Sequence, residues 1–543
     1  MALAPQEMQA LGRQILSVCP VQSEHANHPR SQITKGALLS YLSLLIANAS
    51  GLLVTPYMLR ALGTSEYGLY TFIGAAVAYV NLLDFGLTNS IVRYVARYRA
   101  TGDHAGEASF LHMAMIAYVG IAALVAAVGL AVYPHVALLL GHSLSAGELR
   151  IARLMFAVLI ANVAISLPSG AFAAIITGYE HFAFAKGITV VKLVIRTLLL
   201  VGLLCLGFKA LAIVVLDTAM NAGLFLAHVL YVRFHLRVRF ISHRFDKALA
   251  YEVGRYSLWL SASMVFSQLY PRVGQIALGI LDGTRCVAVF GVGALLGSYY
   301  ASLGYVISSL LLPHAARVVA TGASPSALTS LMIRVGRMQF VILSYALGGF
   351  MVVGRQFITL WAGAAYRDSW IVGALIMSSW TIAITRDFGV SIQQAQNRTV
   401  FRSFYCAYLV LGVGSLGIIS RRWFSGPVAM AFGDMVTVLV GHVIMTAYYS
   451  RIIKIHMVRF HREVFLPQLY CALAATIIGA VAATFLRISS WPTVLCAACV
   501  YSLAFAALTW GYGLKDEERG LLASLVVSGA ERLGLSVRVA ERN

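Results

Sequence analysis

The chain has 543 residues, of which 59% are hydrophobic and only 11% are charged. A soluble domain carries about 25% charged residues, so this composition excludes a soluble protein and predicts an integral membrane protein. The formal net charge of +20 does not indicate nucleic-acid binding, because the basic residues are scattered between apolar runs and form no basic groove.

Fourteen apolar runs have the length of a membrane-spanning helix, which needs about 20 residues. The predicted helices begin near Gly36, Leu69, Ser109, Ile151, Ala185, Leu211, Ser257, Val287, Met338, Trp370, Arg402, Pro427, Leu466 and Trp491. The runs do not alternate over about ten residues, as the strands of a transmembrane β-barrel do. We therefore predict an all-α polytopic membrane protein.

The predicted helices form two six-helix bundles followed by one further pair. The expected segments are a tail at 1–35, the first bundle at 36–235, a basic loop at 236–256, the second bundle at 257–450, two appended helices at 451–512 and a tail at 513–543. The first tail has no apolar core before a small-residue cleavage site, so we predict no signal peptide.

The distribution of basic residues predicts the orientation. One set of loops contains Arg93, Arg97, Arg99, Arg233, Arg237, Arg239, Arg244, Lys247, Arg451, Lys454, Arg459 and Arg462. The opposite loops contain about half as many, so by the positive-inside rule the first set is cytoplasmic. Both termini and the loop around 235–255 are then cytoplasmic, which agrees with an even number of spans.

Three matches at a spacing of about 220 residues suggest that the two bundles are an internal repeat, as is common in transporters. The matched pairs are Gly63 with Gly283, Gly178 with Asn397, and Asp217 with Asp434. Glycine and asparagine adopt the left-handed backbone most easily, so Gly178 and Asn397 are expected to end helices in that conformation.

Two segments near the start of the first bundle read LLVTPYMLRALGTSEYGLYTF and LLDFGLTNSIVRYVARYRATGD. Through them the chain resembles the bacterial polysaccharide or O-antigen flippases of the multidrug/oligosaccharidyl-lipid/polysaccharide exporter superfamily. The matching residues are Pro56, Arg60, Leu62, Gly63, Tyr67, Gly68, Asp84, Phe85, Gly86, Arg93 and Tyr94. The resemblance implies two helix bundles in a V around a central cavity, and export of a polyprenyl-diphosphate-linked oligosaccharide across the inner membrane.

Two cations in the fifth predicted helix are candidate substrate ligands. Lys192 and Arg196 are four residues apart and share one helical face. A cation near the bilayer centre costs about 2.5–3.5 kcal/mol on insertion scales, so each needs a partner or a polar environment. Lys192 could extend to the cytoplasmic interface. Arg196 is expected to pair with Asp217, to face a substrate diphosphate as a bidentate donor, or to lie against lipid.

A third candidate, Arg272, follows Tyr270 and Pro271 in the seventh predicted helix. The proline is expected to kink this helix and free a carbonyl group. Arg272 then either faces the cavity with the two cations of the fifth helix or pairs with a neighbouring carbonyl or aspartate.

The acidic residues in the spans leave several roles open. Asp84, Asp217 and Asp434 are candidate proton or sodium sites, or else structural partners of cations, and for Asp84 a role at a helix end is favoured. Arg386 and Asp387 are adjacent and point about 100° apart on a helix, so they are not expected to pair. One of them could face a cavity.

The motifs of enzymes are missing from the sequence, which contains no Walker A loop, GxSxG, HExxH or Asp-x-Asp. We predict that the protein is not an enzyme and uses no cofactor and no metal ion. Cys496 and Cys499 form a CxxC inside an apolar run, which we interpret as helix packing and not as a metal or redox pair.

These features favour a flippase for lipid-linked oligosaccharides of O-antigen, capsule or exopolysaccharide, located in the bacterial inner membrane. Its expected partners are the lipid-linked substrate, membrane lipids, a polysaccharide polymerase and glycosyltransferases, with no nucleic acid. One alternative is a cation-coupled small-molecule exporter of the multidrug and toxin extrusion type, whose cavity would be acidic and apolar. The other is a non-transporting membrane scaffold of polysaccharide synthesis.

Overall fold

The computed structural model describes residues 28–81, 87–137, 144–238, 240, 265–320, 324–395, 400–515 and 518–519, in which the regular elements are all helical. The α-helices are α1 (His28–Asn81), α2 (Leu87–Thr101), α3 (His104–Val132), α4 (Ala146–Gly178), α5 (Phe182–Cys205), α6 (Ala210–Leu230), α7 (Val273–Leu281), α8 (Thr284–Ala320), α9 (Pro325–Trp361), α10 (Ser369–Thr385), α11 (Phe388–Ala395), α12 (Val400–Ser420), α13 (Gly426–Tyr448), α14 (Met457–Val464), α15 (Leu466–Phe485) and α16 (Trp491–Leu508). The prediction of an all-α membrane protein is confirmed.

Eleven helices in the described part are long and apolar enough to cross a membrane. This number differs from fourteen for three reasons. The first two predicted spans are merged in α1, which turns at Gly63, where φ is 73°. The tenth is the short helix α10 of 17 residues. The seventh is predicted to begin near Ser257, outside the described residues, and α7 forms its end.

The ninth predicted span begins earlier than expected. The helix starts at Pro325 and not near Met338, because Ser324 caps it by accepting a hydrogen bond from the Ala327 N–H. Its first turns carry Arg334 and Arg337, which a search for apolar runs excludes. The helix therefore extends about three and a half turns beyond its apolar part.

The two halves repeat the same helix contacts, as the predicted internal repeat requires. In the first half α1 packs on α4 and α5, α3 on α4, and α6 on α4 and α5. In the second half α8 packs on α10, α7 on α12, α9 on α10, and α13 on α10 and α12. The matched glycines also agree, because φ is 73° at Gly63 and 82° at Gly283. Only glycine adopts such angles without strain.

Gly178 ends a helix as expected, but not in the left-handed conformation. Gly178 is the last residue of α4, and the left-handed residue is Glu180, with φ of 62°. A Cβ atom on Gly178 would lie 2.9 Å from the Val95 side chain, so the glycine permits α2 to pack closely on α4. Asn397, its predicted counterpart, lies outside the described residues.

The halves are joined at one end of the molecule, which we call the Gly63 end. There Glu148, in the first turn of α4, accepts hydrogen bonds from Ser65 of the first half and from Thr284 of the second half. Further contacts across this end are the Trp361 indole with the Leu52 carbonyl at 2.9 Å and the Arg60 guanidinium with the Leu360 carbonyl at 3.1 Å. The opposite end, with α2 and the turn between α4 and α5, is called the Arg97 end.

The appended helices α15 and α16 pack on α9, outside the second half. The Tyr501 hydroxyl donates to the Tyr345 carbonyl at 2.7 Å, and Tyr345 and Ser502 share a hydrogen bond of 2.8 Å. Beyond α16, Glu518 accepts two hydrogen bonds from Arg337 of α9, which is only 5% exposed. The described contacts of α15 and α16 are therefore with the second half.

Candidate functional site: a cavity between the two halves

A cavity of about 360 Å³ lies between the two halves, with walls from α1, α5, α7, α8, α10, α12 and α13. A second compartment of about 390 Å³ adjoins it on the side of the first half. Five residues line both compartments: Tyr70, Thr71, Arg196, Arg272 and Gln275. We call the two compartments together the central cavity.

Arg196 on α5 forms a bidentate ion pair with Asp217 on α6. Its Nε lies 2.5 Å from Asp217 Oδ1, and its Nη2 lies 3.1 Å from Asp217 Oδ2. The same Nη2 donates to the Tyr70 hydroxyl at 3.1 Å, and this hydroxyl donates to Asp217 at 3.4 Å. About a quarter of each charged side chain is exposed. Arg196 thus has the acidic partner that was one of its expected arrangements, and its side chain also lines the central cavity.

Lys192 points into the bundle and not toward the interface. Its Nζ donates to Asn221 Oδ1 at 2.5 Å, and Asn221 Nδ2 donates to Asn162 Oδ1 at 3.1 Å. Asn162 in turn donates to Thr218 at 3.0 Å. The expectation that Lys192 could extend to the interface is wrong in this structure, because α6 supplies an acceptor at bonding distance. That acceptor is neutral, so this hydrogen bond leaves the ammonium charge in place.

Arg272 brings a cation from the second half to the same space. Tyr270–Arg272 form a single 3₁₀ turn before α7, so Pro271 interrupts the helix as predicted. Arg272 is exposed on the wall of both compartments, and its Nη1 contacts Gln275 Oε1 at 3.4 Å. Cations from both halves therefore line the central cavity.

The two matched aspartates have different partners. Asp434 is only 6% exposed and accepts hydrogen bonds from the Tyr270 hydroxyl at 2.5 Å and from Ser379 at 3.3 Å. The Trp380 indole donates to the same tyrosine hydroxyl at 2.8 Å. Asp217 thus accepts from a guanidinium, whereas the described hydrogen-bond partners of Asp434 are neutral. Asp84, the third candidate, lies outside the described residues.

Sequence reasoning missed the neutral residues of the site. Asn221 lies four residues after Asp217, on the same face of α6, and that spacing could have identified it. Asn162 and Gln275 are amides in apolar helices, and both are only 4% exposed. Tyr67, Tyr270 and Trp380 also line the cavity, but nothing in their spacing distinguishes them from packing residues.

Several other candidates lie outside the central cavity. Arg386 and Asp387 line a separate cavity in the second half. Cys496 and Cys499 are exposed on the outer surface of α16, so they do not pack against another helix as expected. Within the described part of the chain, no group of three or more histidine, cysteine, aspartate or glutamate residues could hold a metal ion.

Comparison with known proteins gives a family and a fold. The model of a family described as polysaccharide biosynthesis protein matches residues 33–319. No curated protein matches the chain. Among solved structures, the lipid II flippase MurJ in an inward closed conformation has a TM-score of 0.67 at 12% identity, covering 87% of this chain and 97% of that one.

Multidrug transporters have a similar architecture. A multidrug resistance MATE family transporter in an inward-facing conformation has a TM-score of 0.58 at 16% identity, covering 76% of this chain and 96% of that one. A MATE protein in complex with MaD3S has a TM-score of 0.53 at 13% identity, covering 78% and 97%. At these identities the likeness shows the fold alone, which is that of flippases and multidrug exporters.

Proposed function

The chain belongs to the polysaccharide biosynthesis protein family, and from this premise we propose that it is a flippase for a polyprenyl-diphosphate-linked oligosaccharide. The observation that carries the proposal is the central cavity, to which the first half contributes Lys192 and Arg196 and the second half Arg272. A diphosphate that leaves water for a low-dielectric cavity must be matched by fixed positive charge and hydrogen-bond donors.

The charge of the cavity favours this substrate over a cationic drug. The walls carry three cations against the two aspartates Asp217 and Asp434, which gives a formal charge of +1. An exporter of organic cations needs the opposite sign. The aromatic residues Tyr70, Tyr299 and Trp380 offer apolar faces to sugar rings and polar groups to their edges.

The three cations have different tasks in the proposed mechanism. Lys192 and Arg272 bind the diphosphate, because both line the central cavity and the Lys192 ammonium donates to a neutral amide. Arg196 is held in place by Asp217 and Tyr70, and it offers its remaining guanidinium edge to the substrate. The glycan occupies the polar cavity while the polyprenyl tail stays in lipid.

Alternating access then moves the head group across the membrane. In the proposed orientation both termini and the Arg97 end are cytoplasmic, and the Gly63 end faces the periplasm of a bacterial inner membrane. Substrate enters from the Arg97 end while Glu148 joins the halves at the other end. Rocking of one half against the other breaks these contacts and releases the substrate toward a polymerase, downstream of the glycosyltransferases that build it.

The test uses the native lipid-linked oligosaccharide in cells that lack the chromosomal copy of the gene. Deletion is expected to leave this lipid on the cytoplasmic leaflet, and the wild-type gene should restore its export. Lys192→Gln and Arg272→Gln should each lower export at least tenfold at unchanged membrane abundance. Arg285→Gln is the matched control, because Arg285 is exposed and does not line the central cavity. Wild-type export by both cavity variants would refute the proposal.

A further inference from the structure

A third cavity, of about 270 Å³, lies within the second half. It is lined by residues of α8, α10, α11, α12 and α13, by the residues that directly follow α10 and α13, and by the segment before α7. It shares with the central cavity the lining residues Tyr270, Pro271 and Trp380, and none of the three cations discussed above. We call it the Arg386 cavity, and the proposed flippase function does not involve it.

Two guanidinium groups line the Arg386 cavity. Arg386, at the end of α10, is only 4% exposed and donates through Nη2 to the Tyr405 hydroxyl at 2.7 Å. Arg402 comes from the first turn of α12. Asp387 is the acidic residue of the lining and interacts electrostatically with both arginines, so the formal charge of the lining is +1.

Several buried polar atoms of this region have no hydrogen-bond partner among the described residues. They are Nη1 of Arg386, Nη1 of Arg402 and the hydroxyl of Tyr449, and all three side chains line the cavity. Both amide atoms of Gln393, which follows the lining residue Val390 by one helical turn, are unpartnered as well. Tyr449 and Gln393 are 0% exposed.

This cluster of unpartnered buried polar atoms needs an explanation, because at least about 90% of buried polar groups in proteins are hydrogen-bonded. An unpartnered buried donor also destabilises the fold by the full cost of its desolvation. The three unpartnered groups of the lining are two guanidinium nitrogens, which only donate, and a phenol hydroxyl, which can donate. The missing partner is therefore an acceptor, and the positive lining favours an anionic one.

We propose that the Arg386 cavity binds a phosphate-type anion, either a soluble phosphate or the head group of an anionic lipid. Its oxygens would accept hydrogen bonds from Arg386 and Arg402 in the geometry that guanidinium groups provide, and from the Tyr449 hydroxyl. The volume is several times that of a water molecule, whose share is about 30 Å³, so a tetrahedral oxyanion fits where a single water would leave donors unmatched.

The test is a calorimetric titration of the purified full-length protein with inorganic pyrophosphate. Two sites are expected, one in the central cavity and one in the Arg386 cavity. Tyr449→Phe should weaken the affinity of the site in the Arg386 cavity at least fivefold, and Arg402→Gln should weaken it at least tenfold. Both variants should keep the affinity of the site in the central cavity. Arg272→Gln should weaken only the site that survives in those two variants.

Tyr449→Phe separates ligand binding from folding. It removes one oxygen atom that has no described partner, so the ligand-free protein should melt at the same or a higher temperature than wild type. Tyr448→Phe is the matched control, because the Tyr448 ring stacks on Phe401 at 4.1 Å and does not line the cavity. It should leave both sites unchanged.

Titrations in nanodiscs identify the source of the phosphate group. Competition by phosphatidylglycerol, but not by phosphatidylcholine, assigns the site to a lipid head group, and undiminished pyrophosphate binding in both lipids assigns it to a soluble anion. A single site that Tyr449→Phe and Arg402→Gln leave intact would overturn the proposal and indicate a cavity filled by water alone. Failure of the flippase proposal would give a different result. Arg272→Gln would then lose pyrophosphate binding in the central cavity and still export the lipid-linked oligosaccharide at the wild-type level.

Discussion

At the scale of single residues, the charged side chains of the central cavity differ in their hydrogen-bond partners. Arg196 meets Asp217 and Tyr70, Lys192 meets an asparagine, and Asp434 meets neutral hydroxyl groups. A charge with an opposite partner contributes mainly to structure, and one with neutral partners stays available to a substrate or an ion.

The Arg196–Asp217 pair gives the first prediction. Arg196→Ala or Asp217→Ala leaves one charge of the pair without its partner, and each is expected to destabilise the protein by about 1–3 kcal/mol. This is less than for a fully buried pair, because a quarter of each side chain is exposed. Membrane abundance on immunoblots should fall in both single variants and recover in the double variant. Arg196→Lys should keep abundance but lose part of the export, because lysine lacks the planar fork.

The double variant also decides the role of Arg196. If its free guanidinium edge touches the diphosphate, export stays below wild type although abundance has recovered. Full export by the double variant would show that the pair is structural only.

Asp434 gives the second prediction. Because its described partners are neutral, this carboxylate is the better candidate for binding a coupled proton or sodium ion. Asp434→Asn should fold at normal abundance and make transport in proteoliposomes independent of the imposed pH or sodium gradient. Asp217→Asn is the comparison variant, which should lose abundance and keep the dependence. An unchanged gradient dependence in Asp434→Asn would contradict this assignment.

The charged residues of the site could be predicted from the sequence, and their partners could not. A cation or an aspartate in an apolar run is conspicuous because its burial is costly. Asn221 and Tyr270 are not conspicuous, since amides and phenols are common in spans. Which side chains meet also depends on the rotation of each helix about its axis, and the spacing of apolar residues defines this rotation only coarsely.

At the scale of elements, the turn between α4 and α5 contains a titratable group in a constrained position. His181 lies just before α5, and its Nδ1 is 2.8 Å from the Tyr231 hydroxyl. Burial lowers the pKa of His181 below its usual 6.5, and His235 and Arg99 lower it further by repulsion. The folded protein therefore holds this imidazole neutral at a pH where the unfolded chain protonates it.

The third prediction is the resulting pH dependence of stability. A lowered folded pKa means that the unfolded state binds more protons as the pH falls through 6.5, so stability decreases there. The thermal midpoint should drop between pH 7.5 and 5.5, and His181→Gln should reduce this drop. His135→Gln, at an exposed position, should not change it. A drop of equal size in His181→Gln and wild type would assign the effect to other groups.

The sequence predicted the spanning helices more reliably than the residues at which helices begin and end. The spans were predictable because each needs an apolar run of fixed length. The short helices α2, α11 and α14 were not predicted, because they are too short to span and α2 and α14 are too polar. The early start of α9 was missed for the same reason, since its first turns carry arginines.

At the scale of the whole molecule, the described structure is one in which the halves meet at the Gly63 end. Ser65 and Thr284 come from different halves and donate to the same carboxylate oxygen of Glu148. Gly68 lies in contact with the backbone of Thr284, where a Cβ atom would collide. An alternating-access cycle has to separate these groups.

The fourth prediction is that a cross-link between these groups stops transport. In the double variant Ser65→Cys/Thr284→Cys an oxidant should form a disulfide and abolish export, and a reductant should restore it. Each single cysteine variant is the control and should keep its activity under oxidant. Transport that continued after complete cross-linking, measured by mass shift of a proteolytic fragment, would show that this end does not open.

The appended helices α15 and α16 make the two halves unequal, because they pack on the second half through α9. Repeats of even helix number have the same orientation in a membrane, so both halves bring their matched glycines, Gly63 and Gly283, to the same end. Within the described residues α9 packs on both α15 and α16, and Arg337 of α9 pairs with Glu518, which follows α16. If the halves rock as proposed, α15 and α16 are expected to move with the second half as one rigid body, while the first half moves alone.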